Sequence, residues 1–505
     1  MIPLTIGVAL LCVVAFALLN YVFGYWKRRG VRQLTPFSPF GNIADVFLGK
    51  ASFPKACENL YERSKQWRLL GGYILLRPIL FVNDPQLLKD IMVRDFQYFH
   101  DRGSYVDEVN DPLSGHLFSL AGEKWKHLRA KLTPTFTSGK LKGMFQTLVD
   151  TGIVLQDYVQ TYAKNEDVVE IREIVARYNT DNIASIAFGI KIDSINNPNE
   201  LFRQMGRKVF EPNFRNNMRG LINFMVPKLN KYLKIKSVDG DVERFILSVV
   251  RETLELREKT AVTRKDMMQL LLQLRNTGTV SIDERWDVDT TSKYKSLSLE
   301  EVAAQAHIFF LAGFETSSTT MSFCLYELAK NPSIQRKVQK EVDSALDRHG
   351  GKLTYEGIIE MQYLECCIDE TLRKYPPLPV LNRECTKDYK VPDSDFVIEK
   401  GTALVLQIGA MQHDPQYYPD PMRFDPERFQ DPDVKNKPYA PFGDGPRICI
   451  GLRMGKIQTK VGLSLLLSKF DFALFGHDEP ELVMDTNNFV PTPVDGINLR
   501  ISCRG

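Results

Sequence analysis

The chain has 505 residues with 65 Lys+Arg against 62 Asp+Glu, a formal net charge of +3. At roughly 150 residues per domain, length alone would allow three domains. With 44% hydrophobic and 25% charged residues and a mean hydropathy below zero, a disordered chain, a polytopic membrane protein and a basic nucleic-acid binder are all excluded.

No side chain from Met1 to Trp26 is charged, and Ile2 to Phe23 is almost continuously apolar. Such a run is long enough to cross a ~30 Å hydrocarbon layer as a helix. Tyr25 and Trp26 follow at interface depth, then Lys27, Arg28, Arg29 and Arg32, which place the remainder on the cytoplasmic side. A cleaved signal peptide is the competing reading, since Ala15-Phe16-Ala17 has the form of a cleavage site. That site lies inside the apolar run with no positive segment before it, so an uncleaved signal anchor is expected. Two prolines in the segment 35–42 stop any helix and predict a stiff hinge.

Beyond the hinge, the apolar runs 73–76 and 79–82 predict a hairpin turning at Arg77-Pro78. From about Leu120 to Tyr375 apolar positions recur at helical spacing. The polar stretch 276–296 predicts an exposed loop. Ser298-Leu299-Glu300-Glu301 has the form of a capping box opening a helix that runs without proline to Asn331-Pro332, a rod of roughly 48 Å. Its middle is apolar all round, as suits a buried helix, yet Glu315, Thr316, Ser317 and Ser318 lie at its centre. The runs 396–398 and 402–407 predict a second hairpin. No linker divides the body, so one large catalytic unit is expected despite the length.

Eight cysteines at 12, 57, 324, 366, 367, 385, 449 and 503 form no Cys-x-x-Cys pair and no disulfide framework, which fits a reducing compartment. One of them differs in its surroundings. Cys449 sits in Phe442-Gly443-Asp444-Gly445-Pro446-Arg447-Ile448-Cys449-Ile450-Gly451, immediately before a helical run over 452–467. The glycines let the backbone lie close against a flat ligand, and a helix N-terminus favours a thiolate. Taken alone, a small buried cysteine would be the ordinary reading.

The decapeptide resembles the haem-binding loop of cytochrome P450 enzymes. Ala312-Gly313-Phe314-Glu315-Thr316-Ser317 resembles the family's oxygen-activating segment, Glu370-Thr371-Leu372-Arg373 its Glu-x-x-Arg pair, and Pro426-Glu427-Arg428-Phe429 the motif that completes that pair. The segment 134–140 looks most like that of insect microsomal family 6 members. The resemblance implies the cytochrome P450 fold, mainly α with smaller β regions (α+β), with an N-terminal transmembrane anchor. It divides the chain into a membrane signal anchor (1–26), a basic stop and proline hinge (27–42) and a haem-binding catalytic domain (43–505).

Roles follow from the same resemblance. Cys449 is expected to ligate the iron of haem b, with Phe442, Gly443 and Gly451 shaping the loop; a thiolate ligand favours O–O cleavage. Trp125, Arg129, Arg383 and Arg447 are expected at the propionates, with Arg102 a further candidate. Thr316 and Glu315 are expected to deliver protons, and Gly313 to spare room for oxygen. Glu370, Arg373 and Arg428 are expected to form a buried structural network. His116, Leu117, Phe118, Phe210, Phe214, Phe309, Phe310, Ala312, Val380, Leu381 and Phe489 are expected around an apolar substrate pocket.

Electrons are expected from NADPH-cytochrome P450 reductase, with cytochrome b5 as a further partner, because no Gly-x-Gly-x-x-Gly follows a strand. Lys124, Lys126, Lys131, Lys140, Lys142, Arg453, Lys456 and Lys460 form the expected docking face. The implied enzyme is an endoplasmic-reticulum monooxygenase acting on lipophilic xenobiotics such as plant toxins and insecticides. Oxidation of endogenous hormones or terpenoids, a reductase-independent isomerase and a haem sensor are the alternatives.

Overall fold

The computed structural model describes residues 2–211, 213–280, 286, 296–475 and 482–504, apart from the side chains of 2–5, 8, 9, 214 and 225. The predicted long helix forms as Leu299–Lys330. Its capping box is complete: Ser298 Oγ accepts from Glu301 N at 3.1 Å, and Glu301 Oε2 accepts from Ser298 N at 2.8 Å. At the far end Asn331 Nδ2 donates to Glu327 O, and Pro332 starts the next helix. The helices Ile171–Ile183 and Leu452–Lys469 pack against this rod, and one large apolar core surrounds it. The fold is mostly helical with small sheets, as expected.

The first hairpin is displaced from its predicted turn. Leu69–Ile74 pairs antiparallel with Arg77–Val82, and Tyr73 faces Pro78. The turn is made at Leu75, which takes a left-handed φ of 53°, so Arg77-Pro78 belongs to a strand. The second expected hairpin does not form. Val397–Ile398 pairs with Tyr389–Lys390, whereas Ala403–Leu406 inserts between Arg77–Val82 and Leu381–Glu384 in a four-stranded sheet. Gly401, at φ 85°, turns the chain from one sheet to the other, and its N–H donates to Cys385 O. A three-stranded sheet of Val168–Glu170, Phe470–Leu474 and Asn498–Cys503 was not foreseen. Most of the stretch 276–296 lies outside the described residues; Trp286 within it is buried, with Lys140 over its ring at 4.4 Å.

Ile2–Phe23 is one helix, and its described side chains are mostly exposed. Those side chains are continuous only over 10–23, and among the described residues no helix is long and apolar enough to cross a membrane. Trp26, expected at an interface, is instead 1% exposed, and its Nε1 donates to Gly72 O at 2.9 Å. Gly71 makes the room, because a Cβ there would lie 2.4 Å from the indole. Tyr73 Oη donates to Phe23 O, Arg29 pairs with Glu399 at 3.1 Å, and Gly41 lies against Tyr73. The basic and proline segment is thus bonded to the first sheet and, through Glu399, to the residue after strand Val397–Ile398.

Candidate haem and oxygen site

The cysteine loop closes on itself before the following helix begins. Cys449 N donates to Phe442 O at 2.9 Å, Ile448 N donates to Gly445 O, and Gly443 N donates to Ala440 O. Gly443 and Gly445 both have positive φ, and a Cβ on Gly445 would lie 1.9 Å from Met92 O. Only glycine fits there. The helix Leu452–Lys469 follows directly, with Gly451 at its N-cap, as the helical run predicted.

Cys449 is deep in the fold yet has an exposed side chain. On the central helix Ala312 is exposed as well, and Ile308, Phe309, Leu311, Gly313 and Thr316 are half-buried, whereas 302–307 and 317–320 are buried. Exposure at the middle of a core helix marks an interior hollow between the two elements. Phe136 connects them: its ring lies 5.6 Å from that of Phe309 and 3.9 Å from where a Gly451 Cβ would stand. Burial raises the Cys449 thiol pKa, opposed by the Gly451 N–H and by the charges of Arg129 and Arg102.

Four arginines gather at this hollow. Arg447 Nη2 donates to Leu120 O at 2.7 Å and Nη1 to Phe118 O, with its guanidinium over the Trp125 ring at 4.1 Å. Arg129 Nη1 donates to Ile448 O at 2.9 Å, and Arg102 lies over the Phe118 ring at 3.9 Å. Burial, then Arg383 and Arg447, push the Arg102 pKa well down; burial and Arg383 push Arg447 down to about 9. A guanidinium keeps its proton, so this opposition amounts to a shortage of negative charge. Asp101, 3.7 Å from Arg447, is the carboxylate that meets the cluster.

Among the described residues Arg102 Nε and Nη1, Arg383 Nε and Nη2 and Arg447 Nε are buried without hydrogen-bond partners. Buried guanidinium nitrogens without acceptors are costly. Two ligand carboxylates would supply the missing acceptors and charge, so these residues fit a haem whose propionates reach this corner.

Behind the loop, Arg373 and Glu370, both 0% exposed, form a bidentate pair at 2.7 and 3.0 Å. Arg428 Nε lies 3.6 Å from Glu370 Oε1, and Asp425 N donates to the same oxygen. Arg373 also donates to Gln412 O, while Gln412 Oε1 accepts from Ala440 N. Gln412 thus carries the pair to the cysteine loop, a role with no motif to announce it.

Other expectations are redistributed. Thr316 faces the hollow, but its Oγ1 donates back to Ala312 O at 2.5 Å. Glu315 is buried against Arg172, whose Nη2 lies 2.5 Å from Oε1, so the two do not share a face. Gly313 has a packing reason: a Cβ would lie 2.5 Å from Ile183 Cδ1. Phe310 is core, packed on Phe188 and Phe202, not a pocket wall. Phe210 packs on Phe314, and Phe489 stacks at the surface on Phe53. Phe214 opens a helix, and its side chain lies outside the described residues.

His116, Leu117 and Phe118 stand beside the arginine corner. There Phe118 meets Phe224, and Leu117 N donates to Gln305. Val380 and Leu381 are buried, and Leu381 comes within 3.4 Å of a Gly443 Cβ. Three docking lysines are corrected. Lys140 is 1% exposed, Lys460 is buried against Glu365 at 2.6 Å, and Lys456 pairs with Glu365 and Asp369. Lys126, Lys142 and Arg453 remain exposed; Lys142 and Lys124 meet Glu356 and Glu108, and Lys131 donates to Ser296.

The family model described as Cytochrome P450 matches residues 33–499. The chain is 42% identical over 496 residues to Probable cytochrome P450 6d5 of Drosophila melanogaster, covering 97% of each. It is 40% identical over 494 residues to Cytochrome P450 6d3 of Musca domestica, covering 95% of each. A second Drosophila melanogaster protein, Probable cytochrome P450 6a14, is 40% identical over 96% of this chain and 97% of its own length.

Proposed function

The chain belongs to the cytochrome P450 family, whose members are haem-thiolate monooxygenases using haem b and electrons from NADPH through a reductase, and from that premise we propose that it oxidises lipophilic xenobiotics at the endoplasmic reticulum membrane. The observation that carries the reading is Cys449, with an exposed side chain at the end of a closed loop, in a chain whose central helix also exposes Ala312. Bound there, haem would supply dioxygen activation, one oxygen atom entering the substrate and the other leaving as water. Cys449 would supply the thiolate that holds its iron.

The Gly451 N–H and the Arg129 and Arg102 charges favour that thiolate. Arg102, Arg383 and Arg447 would hold the propionates through nitrogens that lack protein acceptors, with Trp125 stacked beneath Arg447. Glu370, Arg373 and Gln412 keep the loop in register from behind. Thr316 Oγ1 would hold or pass a proton at the face it shares with Ala312, and its back-bond to Ala312 O must open for it to donate elsewhere. Glu315 would feed that hydroxyl through rearrangement of its Arg172 pair. Phe118, Phe309 and Leu381 would give the pocket apolar walls beside the imidazole of His116, which supports a lipophilic substrate.

Exposed apolar side chains along the first helix, among them Leu11 and Phe16 at 69% each, support insertion in a bilayer, with Lys27 to Arg29 on the cytoplasmic side. Exposed Lys126, Lys142 and Arg453 support docking of an acidic reductase domain.

The test begins with the reduced, CO-bound spectrum. A long-wavelength Soret band is expected in the wild-type chain and its loss in Cys449→Ala. A conventional band in the wild type would refute thiolate ligation. Reductase-dependent NADPH use, stimulated by plant toxins or insecticides that also shift the ferric spectrum, is then expected. Stimulation by hormones or terpenoids alone would overturn the xenobiotic reading.

A further inference from the structure

Three consecutive carbonyls of the central helix each take a side-chain hydrogen bond in addition to their place in the helix. Ala312 O accepts from Thr316 Oγ1 at 2.5 Å, and Phe314 O accepts from Ser318 Oγ at 2.5 Å. Gly313 O, between them, accepts from Gln458 Nε2 at 3.4 Å. Two of these donors belong to the central helix itself. Gln458 comes from the helix Leu452–Lys469, nine residues after Cys449, and is the one tie among the three that crosses between elements.

The amide of Gln458 is aimed by a third helix. Its Nε2 also donates to Asn179 Oδ1 at 2.5 Å, and Asn179 Nδ2 donates to Ser318 Oγ at 3.1 Å. Gln458, Asn179 and Ser318 are 1%, 0% and 2% exposed. In so dry a site each bond has little competition from water, and loss of one partner leaves another unsatisfied. Back-bonding hydroxyls such as those of Thr316 and Ser318 bend or loosen a helix locally, which leaves the tie from Gln458 to hold the turn against its neighbour. The turn they act on carries Ala312, exposed, and Thr316, half-buried, in an otherwise mostly buried helix.

We propose that Gln458, aimed by Asn179, is a positioning residue that fixes the Ala312–Thr316 turn relative to the cysteine helix, and so governs how fully electrons are committed to product. The proposal rests on the monooxygenase reading above. Gln458 touches neither substrate nor cofactor; it acts through the Gly313 carbonyl. A turn set loose would let dioxygen leave reduced but unused, by NADPH + H+ + O2 → NADP+ + H2O2.

The experiment uses the full-length, haem-loaded protein and Gln458→Met, which keeps the side chain's length and removes its donor. Hydrogen exchange at the amides of 313–318 is expected to quicken, about three- to ten-fold, as befits one lost buried hydrogen bond. With reductase and ethoxycoumarin as probe, peroxide per NADPH should rise and product per NADPH fall by a similar factor, while the long-wavelength CO band stays. Asn179→Ala, which leaves Gln458 in place but takes away what aims it, should shift both readouts the same way, and serves alone if Gln458→Met does not assemble. A side chain that only fills space would lower the melting temperature and leave exchange at 313–318 and the peroxide ratio unmoved; that result overturns the proposal. Absence of the CO band in the wild type would instead strike the monooxygenase reading.

Discussion

Arg172 and Glu315 meet at 2.5 Å, which turns the carboxylate next to Thr316 toward a neighbouring helix instead of the hollow. Successive residues lie about 100° apart on a helix, so one of the two must face elsewhere. Their side chains are 26% and 9% exposed, and removing one partner strands the other. Arg172→Leu is expected to cost about 1–3 kcal/mol, short of a fully buried pair, and Glu315→Gln in the same chain should restore part of it. A double-mutant cycle by denaturant melts measures this; no coupling would mean the pair contributes nothing.

Gly313→Ala would place a methyl 2.5 Å from Ile183 Cδ1 and 2.9 Å from its Cγ1. Overpacking of that kind is expected to cost roughly 1–3 kcal/mol. Trimming the neighbour in Ile183→Ala;Gly313→Ala should recover much of it. If the double variant is no better than Gly313→Ala alone, the contact with Ile183 is not what requires glycine.

Arg373→Ala leaves Glu370 charged and fully buried, with Gln412 O and Pro421 O also losing their donor. The expected loss is about 3–5 kcal/mol. Because Gln412 also bonds Ala440 ahead of the cysteine loop, haem content per folded chain should fall as well. Size-exclusion yield against haem absorbance separates misfolding from failure to load.

His116 and His307 are buried, and burial lowers their pKa to about 4 and about 3, with Arg102 and His116 respectively adding to the effect. The folded pKa of each lies below the unfolded value near 6.5. Below pH 6.5 the unfolded chain therefore binds protons that the folded chain refuses, and stability falls with pH until about 4 for His116 and about 3 for His307. Each histidine should contribute a slope of up to about 1.4 kcal/mol per pH unit in that window. His307→Asn should flatten the melting-temperature profile between pH 6.5 and 4 relative to wild type; an unchanged profile would show that His307 protonates freely in the fold.

The motifs made the site legible in sequence because each combines residues whose chemistry is rare in that company. Cys449 lies in a closed glycine loop, Glu370 pairs with the arginine three residues on, and Thr316 lies in the long helix with its hydroxyl bonded back to Ala312 O. What stayed hidden depends on distance through space. Gln412, Asn179, Gln458 and Phe136 belong to no spacing rule, and only packing brings them to the carbonyls and glycines they touch. The second hairpin failed because Gly401 could equally turn a strand back on its neighbour or send it to another sheet. The lysine face was overdrawn for a similar reason: charge is visible in sequence, but Lys140 over Trp286 and Lys460 against Glu365 are spent internally.

The indole of Trp26 has a mechanical consequence. A tail joined by a loose tether would let the body roll and yaw relative to the tail. With Trp26 seated over Gly71, Tyr73 Oη bonded to Phe23 O and Arg29 held by Glu399, the helix Ile2–Phe23 is instead keyed to the first sheet, like a mast stepped into a hull. Its pitch and the heading of the catalytic body are then a single variable, set by the absence of one methyl-sized group at residue 71.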